Sequence, residues 1–412
     1  MSSMTLTRRA AVALGAAAAS TAVALKEDLG PKLAAAMNSR VLKTGLAREP
    51  VRIESIDLMR NGKNWFVRAR SQDGAVGYAD AHASVMSAAY PILIRKVAPA
   101  FIGKDARDLE PLLDEVYLAN SNYKWQGLPF WVSVAVTEIA ILDLLGKTVR
   151  KPLGELFGNI VRREIPVYRA SGNRGNSPEA EIDYLKKIVA ETGSKAIKFR
   201  LGARMRYDDA STRRDRALIP LTRKTFGDSM AIYADGNGSF DVPMAIKTGR
   251  LMEEYKLAFF EEPVPFDYYD ETKQIADTLT IPIAIGEEEM SLRGFRRIIE
   301  SNTAQVVQPD LLYFGGLIRS LKVARMAAAA GIDCTPHMSG GGLGFLYIAH
   351  FASCVPNVGA HQEYKGEDDT LPVSSATSPL KSVDGKLKVP TGPGLGVELD
   401  PDFLSKATVV KA

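Results

Sequence analysis

At 412 residues the chain is long enough for two or three domains or for one large barrel with additions, and its 46% apolar content is that of a soluble globular protein. Lys and Arg (52) nearly balance Asp and Glu (48), for a net charge of +4 with no long basic blocks; this argues against a nucleic-acid partner, and the mild basic excess suits a small acid substrate. Two cysteines, Cys334 and Cys354, exclude a disulfide framework and read as small buried apolar residues.

The chain opens MSSMTLTRRAAVALGAAAASTAVA. Arg8 and Arg9 precede an Ala-rich run too short and too weakly apolar for a membrane span, with small residues at Ala22, Val23 and Ala24 for cleavage. Segment 1–25 resembles a twin-arginine export signal, which predicts a periplasmic or otherwise exported protein with no membrane attachment after export. A retained Ala-rich helix is the alternative and would leave the protein in the cytoplasm. Residues 26–50 read as a linker or irregular arm.

Residues 51–160 read as a small α+β unit. VRIESIDLM, NWFVRAR and AVGYADA alternate as strands, with hairpin turns at Asn61-Gly62 and Asp73-Gly74. Helical patterns follow over 84–99, 109–118 and 131–149. Residues 60–64 and 81–86 form loops, and His82 falls in the second.

Residues 161–365 repeat a strand–helix unit. IPVYRASG, KAIKFRLG, AIYADGN, LAFFEEP, IPIAIGE, TAQVVQPD, GIDCTPH and VGAHQE are its successive strands. A charged helix over 208–226 contains Pro220, which is expected to kink or break it; its Arg213, Arg214, Arg216, Arg223 and Lys224 are expected on a solvated face. SGGGLG lacks the lysine and spacing of a phosphate loop. Residues 366–412 are rich in loops.

Polar residues recur at the ends of these strands. Asp235 and Glu261 are 26 residues apart, as are Glu261 and Glu287; Asp310, His337 and Glu363 continue the series. Parallel strands closing into a barrel bring such ends together on one face. Carboxylates converging there repel one another unless a cation neutralises them, and oxygen-only ligands suit Mg²⁺. Asp235, Glu261 and Glu287 are thus expected to hold one Mg²⁺ ion per active site. Asn237 shares the face of Asp235, whereas Glu262 would point away from Glu261 on an ideal strand. Lys198 and Arg200 lie two apart on one strand face. Arg169 lies near the end of the first strand. His350, in a helical run, reads as core or surface, and His361 as structural, pointing away from Glu363.

These motifs together are specific. ILDLLGK with PLGELFG, the Lys-x-Arg strand, DGN, EEP, the GE strand end, PDLLYFGG, the His strand and the late GPGLG resemble, in that order, the mandelate racemase and muconate lactonizing enzyme branch of the enolase superfamily, from Val51 onward. The resemblance implies a modified (β/α)7β-type TIM barrel with an N-terminal α+β capping domain. The cap's loops would choose the substrate, the C-terminal segment would return to the cap, and the chain would form a homo-oligomer.

The chemistry implied is Mg²⁺-dependent removal of the α-proton of a carboxylate through an enediolate. By resemblance His337 is the base, with Asp310 holding its other ring nitrogen, and Glu363, if protonated, bonds the enediolate. The family commonly has Lys-x-Lys, whose second lysine is the base on the opposite face. Arg200 stands there, and a guanidinium is a poor base; it is expected to clamp a carboxylate or stabilise negative charge, and Lys198 to neutralise the substrate carboxylate. Asn237, Arg169 and His82 are candidate substrate contacts. One competent base favours dehydration of a sugar acid to a 2-keto-3-deoxy acid. A racemase, epimerase or cycloisomerase is the alternative, and a non-catalytic exported sugar-acid binding protein a third reading.

Overall fold

A computed structural model describes residues 29–339, 341–366 and 370–412. The export-signal segment 1–25 lies outside the described residues.

The cap is built on hairpins. β1 (Ile53–Asn61), β2 (Asn64–Ser71) and β3 (Val76–Asp80) pair antiparallel, and their turns carry Gly62 and Gly74 at positive φ, where a side chain would be strained. Three strands alone would leave one face wet. The helix Leu128–Thr148, apolar almost all round, covers that face and fills the space toward the barrel. Its length and composition would let it cross a membrane, but 89% of its apolar window is buried inside the protein.

Parallel strands β4 (Glu164–Ala170), β5 (Ala196–Arg200), β6 (Ala231–Asp235), β7 (Phe259–Glu261), β8 (Ile283–Ile285), β9 (Val306–Val307) and β10 (Asp333–Cys334) pair in sequence order. β11 (Gln362–Glu363) returns to pair with β4, as a closed barrel requires. A helix follows each of β4 to β10, giving the expected (β/α)7β order. Tyr168, Ala196, Tyr233, Phe259, Ala284 and Val306 pack together inside the barrel, so the interior below the strand ends is a packed floor. Cys334 is buried and Cys354 partly so, both as free thiols.

Beyond the barrel come β12 (Val373–Ser374), β13 (Ser382–Val383), β14 (Lys386–Lys388), β15 (Glu398–Leu399) and β16 (Thr408–Val409). The β13–β14 hairpin lies antiparallel on the start of β4. The chain then crosses to the cap, where β16 pairs with β1. On the way, Leu395 N–H donates to Asp143 Oδ1 (2.8 Å), whose other oxygen accepts from Tyr78 N–H (2.9 Å). The DLLGK and GPGLG motifs are thus two sides of one packing contact.

Three expectations need correction. Residues 29–38 form a helix instead of an irregular arm, with Leu33 fully buried. Glu110 Oε2 then accepts from Val41 and Leu42 N–H (2.9 and 3.0 Å) while its other oxygen meets Lys322 (3.0 Å), tying arm, cap and barrel at one carboxylate. Pro220 does not break its helix: Asp209–Phe226 runs through it, started by an Asp208–Ser211 capping box and held by buried Leu218, Ile219 and Thr222. On that helix the Arg214 side chain is buried and Arg223 is half-buried, both tied to backbone carbonyls. Arg214 donates to the carbonyls of Asn176 and Arg200 (both 2.9 Å), and Arg223 to those of Tyr255, Met230 and Lys256.

Candidate active site

Strand register sets the site. Arg200 stands opposite Asp235, and Asp235 opposite Glu261, in one row at the carboxyl end of the barrel. Gly286, at φ +127, bends the chain after β8 so that Glu287 joins them. Oxygens of Asp235, Glu261 and Glu287 lie within 4.8 Å of one another. Across the mouth an isolated parallel bridge joins Asp310 to His337. His337 Nδ1 is 2.7 Å from Asp310 Oδ2, whose carboxylate also accepts from Leu312, Tyr313 and Ser339 N–H. That leaves His337 Nε2 facing the acids, 3.3 Å from both Glu287 and Glu363.

Cations are interleaved with the carboxylates. Lys198, fully buried, reaches Glu261 Oε2 (2.7 Å) and Glu363 Oε1 (3.5 Å) and lies over the Tyr168 ring. Arg200 Nη1 pairs with Asp235 Oδ2, and its Nε donates to Ser171 O (3.2 Å). Asn237 sits in the left-handed region at φ 42, which asparagine tolerates. Its N–H donates to Asp235 Oδ1 (2.6 Å), and its Oδ1 accepts from Arg200 and from Arg174.

This field fixes protonation. Burial opposes charge on Lys198, but Glu261 and Glu363 outweigh it and hold the ammonium well above its ordinary range. Burial likewise works against the His337 imidazolium, yet Glu287, Glu363 and Asp310 push it up to about 9. Burial favours the neutral form of Glu363, but Lys198, Lys365 and His337 outweigh it and hold the carboxyl well below its ordinary range, the opposite direction to the protonated donor that the resemblance implies.

Other residues also depart from expectation. Arg169 has the opposite parity to the inward Tyr168, so it faces outward and meets Glu191 (3.5 Å), away from the cluster. His361 shares the inward parity of Glu363 and bonds the Tyr233 hydroxyl (3.0 Å) inside the barrel. His350 is core, with Nε2 on Leu395 O (3.1 Å). His82 is brought to the mouth: it packs 5.9 Å from the ring of Tyr313 and lines a cavity with Asn64, Trp65 and Gly342 between cap loops and barrel. Glu262 does not point away, because at φ 41 it has left the strand and turns toward Glu287 and Glu288. Arg174, from the loop after β4, carries no motif that would have marked it.

The acids fit a divalent cation. They offer oxygen donors only, and Glu261 Oε1 is buried with no hydrogen-bond partner, as a coordination position would be.

Residues 36–158 match the mandelate racemase/muconate lactonizing enzyme N-terminal domain, and residues 181–403 the enolase C-terminal domain-like family. The chain belongs to the mandelate racemase/muconate lactonizing enzyme family of the enolase superfamily. It is an enzyme. Family members similar to it include an arabinonate dehydratase of Saccharolobus solfataricus, 27% identical over 85% of this chain and 89% of that one. A D-galactonate dehydratase of Xanthomonas campestris is 28% identical over 83% and 90%. The structure of a mandelate racemase/muconate lactonizing protein from Paracoccus denitrificans complexed with magnesium is 27% identical, covering 88% of this chain and 99% of that one with a TM-score of 0.80.

Proposed function

We propose that this enzyme is a Mg²⁺-dependent dehydratase of a sugar acid, giving a 2-keto-3-deoxy acid. The observation that carries the reading is a single basic centre, the His337–Asp310 pair, facing a guanidinium in place of a second base. The dehydratases among its relatives support the same reaction class.

Asp235, Glu261 and Glu287 would hold the magnesium ion, which when bound supplies positive charge that stabilises the substrate as its enediolate. His337 is held at about 9 largely by Glu287 and Glu363; once those carboxylates are offset, its pKa falls toward its ordinary value and Nε2 is free to accept a proton. Asp310 keeps Nδ1 occupied, so the proton from the α-carbon goes to Nε2. The C–H electron pair moves into the carboxylate. Its return expels the β-hydroxyl, which takes the proton from His337 and leaves as water, and the enol becomes the 2-keto acid. Lys198, always charged here, neutralises the substrate carboxylate, and Glu363 positions Lys198 and His337. Arg200 and Asn237 face the opposite side as donors. His82 supports recognition from the cap. The Arg8–Arg9 segment supports an exported enzyme acting in the periplasm.

The test is a screen of Mg²⁺-loaded protein against sugar acids, reading 2-keto acid and optical rotation together. Keto acid from one acid, or from a few stereochemically related ones, is expected. Rotation change without keto acid would overturn dehydration in favour of racemisation or epimerisation. Mg²⁺-dependent binding without turnover would favour a binding protein.

A further inference from the structure

The loop after β4 brings to the barrel mouth a cation that the reaction proposed above does not use. Residues 171–176 are tied down at both ends. Ser171 O accepts from Arg200 Nε (3.2 Å), and Arg214 donates to Asn176 O (2.9 Å) and Asn173 O (3.5 Å). Between these ties stands Arg174, half-buried, with its Nη2 on Asn237 Oδ1. Arg200 Nη1 donates to that same oxygen at 3.3 Å, so two guanidiniums share one neutral acceptor. Their charges are not equally met. Arg200 has Asp235 and Arg214 has Asp215 as ion-pair partner. Among the described residues no carboxylate stands within ion-pair distance of Arg174, and its Nε is buried without an acceptor. Burial and the charges of Arg200, Arg204 and Arg214 push Arg174 down to about 10, which leaves it cationic at neutral pH. A buried donor and an unmatched charge cost free energy until an anion meets them. A cation held by Asp235 would add to the positive excess.

We propose that Arg174 receives a second carboxylate at the far end of the substrate, so that the preferred substrates are dicarboxylic sugar acids (aldaric acids) and not the monocarboxylic aldonic acids. A guanidinium donates two parallel hydrogen bonds to a carboxylate, a match that a terminal hydroxyl does not offer. The other cations are already engaged. Lys198 lies on Glu261 and Glu363 and serves the carboxylate beside the α-carbon, and Arg200 is held by Asp235 and Ser171 O. Arg174 alone among these three lacks a charged partner, and the anchored loop holds it in place at the mouth.

This assignment rests on the sugar-acid reading above, and the experiment separates the two. Aldonic and aldaric acids of matched stereochemistry, such as galactonate with galactarate, are compared as pairs across the sugar series. Each pair is assayed with Mg²⁺-loaded protein for 2-keto acid formation, and with the His337→Asn protein for Mg²⁺-dependent binding by calorimetry. An aldaric acid is expected to exceed its aldonic partner in kcat/KM and in affinity by roughly 10–100-fold, the usual worth of a hydrogen bond between charged groups. Arg174→Gln, checked for native circular dichroism, should raise KM for the aldaric acid by the same factor and leave the aldonic acid nearly unchanged. Arg174→Lys, which keeps the charge, should recover part of the loss and serves if the glutamine variant fails to fold. Equal losses for both acids would make Arg174 a support of its loop and overturn the proposal. Keto acid formed preferentially from an aldonic acid would leave the dehydratase standing and remove the second carboxylate. Preferential binding of an aldaric acid that depends on Arg174, without keto acid, would uphold the subsite and overturn dehydration. Binding of neither member of any pair would overturn both.

Discussion

At His337 one imidazole serves two demands. Its Nδ1 is fixed by Asp310, and its Nε2 looks onto carboxylates that keep a proton on it. Replacing it with asparagine keeps the hydrogen bond to Asp310 but removes the base. His337→Asn is expected to lower kcat by roughly 10²–10⁴-fold, the usual worth of a positioned general base. It should also abolish exchange of the substrate's α-hydrogen with solvent deuterium, read by NMR on recovered substrate. Exchange at the unaltered rate would assign the base elsewhere. Most of this cluster was legible because strand ends repeat at a constant separation and inward residues alternate. Asp235, Glu261, Glu287, Asp310, His337 and Glu363 needed nothing more. Glu262 was not legible, since alternation holds only while the chain stays extended and it leaves that region at φ 41. Arg169 was misplaced for the converse reason: the alternation does hold there, and inward Tyr168 puts its neighbour outside. The lowering of the Glu363 pKa rests first on Lys198, which reaches it from another strand, and spacing does not report that.

Among the elements, the helix Leu128–Thr148 shows how a motif can be structural. A Cβ at Gly146 would lie 2.7 Å from Gly394 Cα and 2.9 Å from Lys151 O, both backbone atoms with little room to move. Alanine would gain up to ~1 kcal/mol in helix propensity. Overpacking against fixed backbone costs about 1–3 kcal/mol, and here it should win. Gly146→Ala is therefore expected to lower Tm by a few degrees, as calorimetry would show; an unchanged or higher Tm would mean that the tail yields. The elements themselves were largely readable from periodicity and turn residues. The helix over 29–38 was missed because what holds it comes from far along the chain: Arg296 donates to Gly30 O, and just past the helix Arg325 reaches Ser39 and Arg40 while Glu110 reaches Val41 and Leu42. Pro220 was misjudged because a docked amphipathic face can outweigh one lost hydrogen bond.

For the whole molecule, acid stability follows from the buried His350. Burial pushes it down to about 4, below its ordinary 6.5, while the unfolded chain titrates near the ordinary value. A folded pKa below the unfolded one makes the unfolded state the better proton acceptor. The stability this residue contributes is therefore complete above about pH 6.5 and is lost as pH falls from there toward 4. Between pH 7 and 4.5 the loss should be about 2–3 kcal/mol, upper in range because the site can relax. Urea denaturation at the two pH values would read it as a difference between the unaltered protein and His350→Gln. An equal acid loss in both would show that other groups dominate.

The final strand has a consequence apart from catalysis. By lying along Met59 and Arg60, β16 occupies the outer edge of β1, which would otherwise offer open backbone groups to another chain. It is itself only Thr408–Val409, too short to recruit a further strand. The last residues thus act as a guard against edge-to-edge association. A chain trimmed before Thr408 would keep its barrel mouth intact yet gain a self-adhesive edge on its cap.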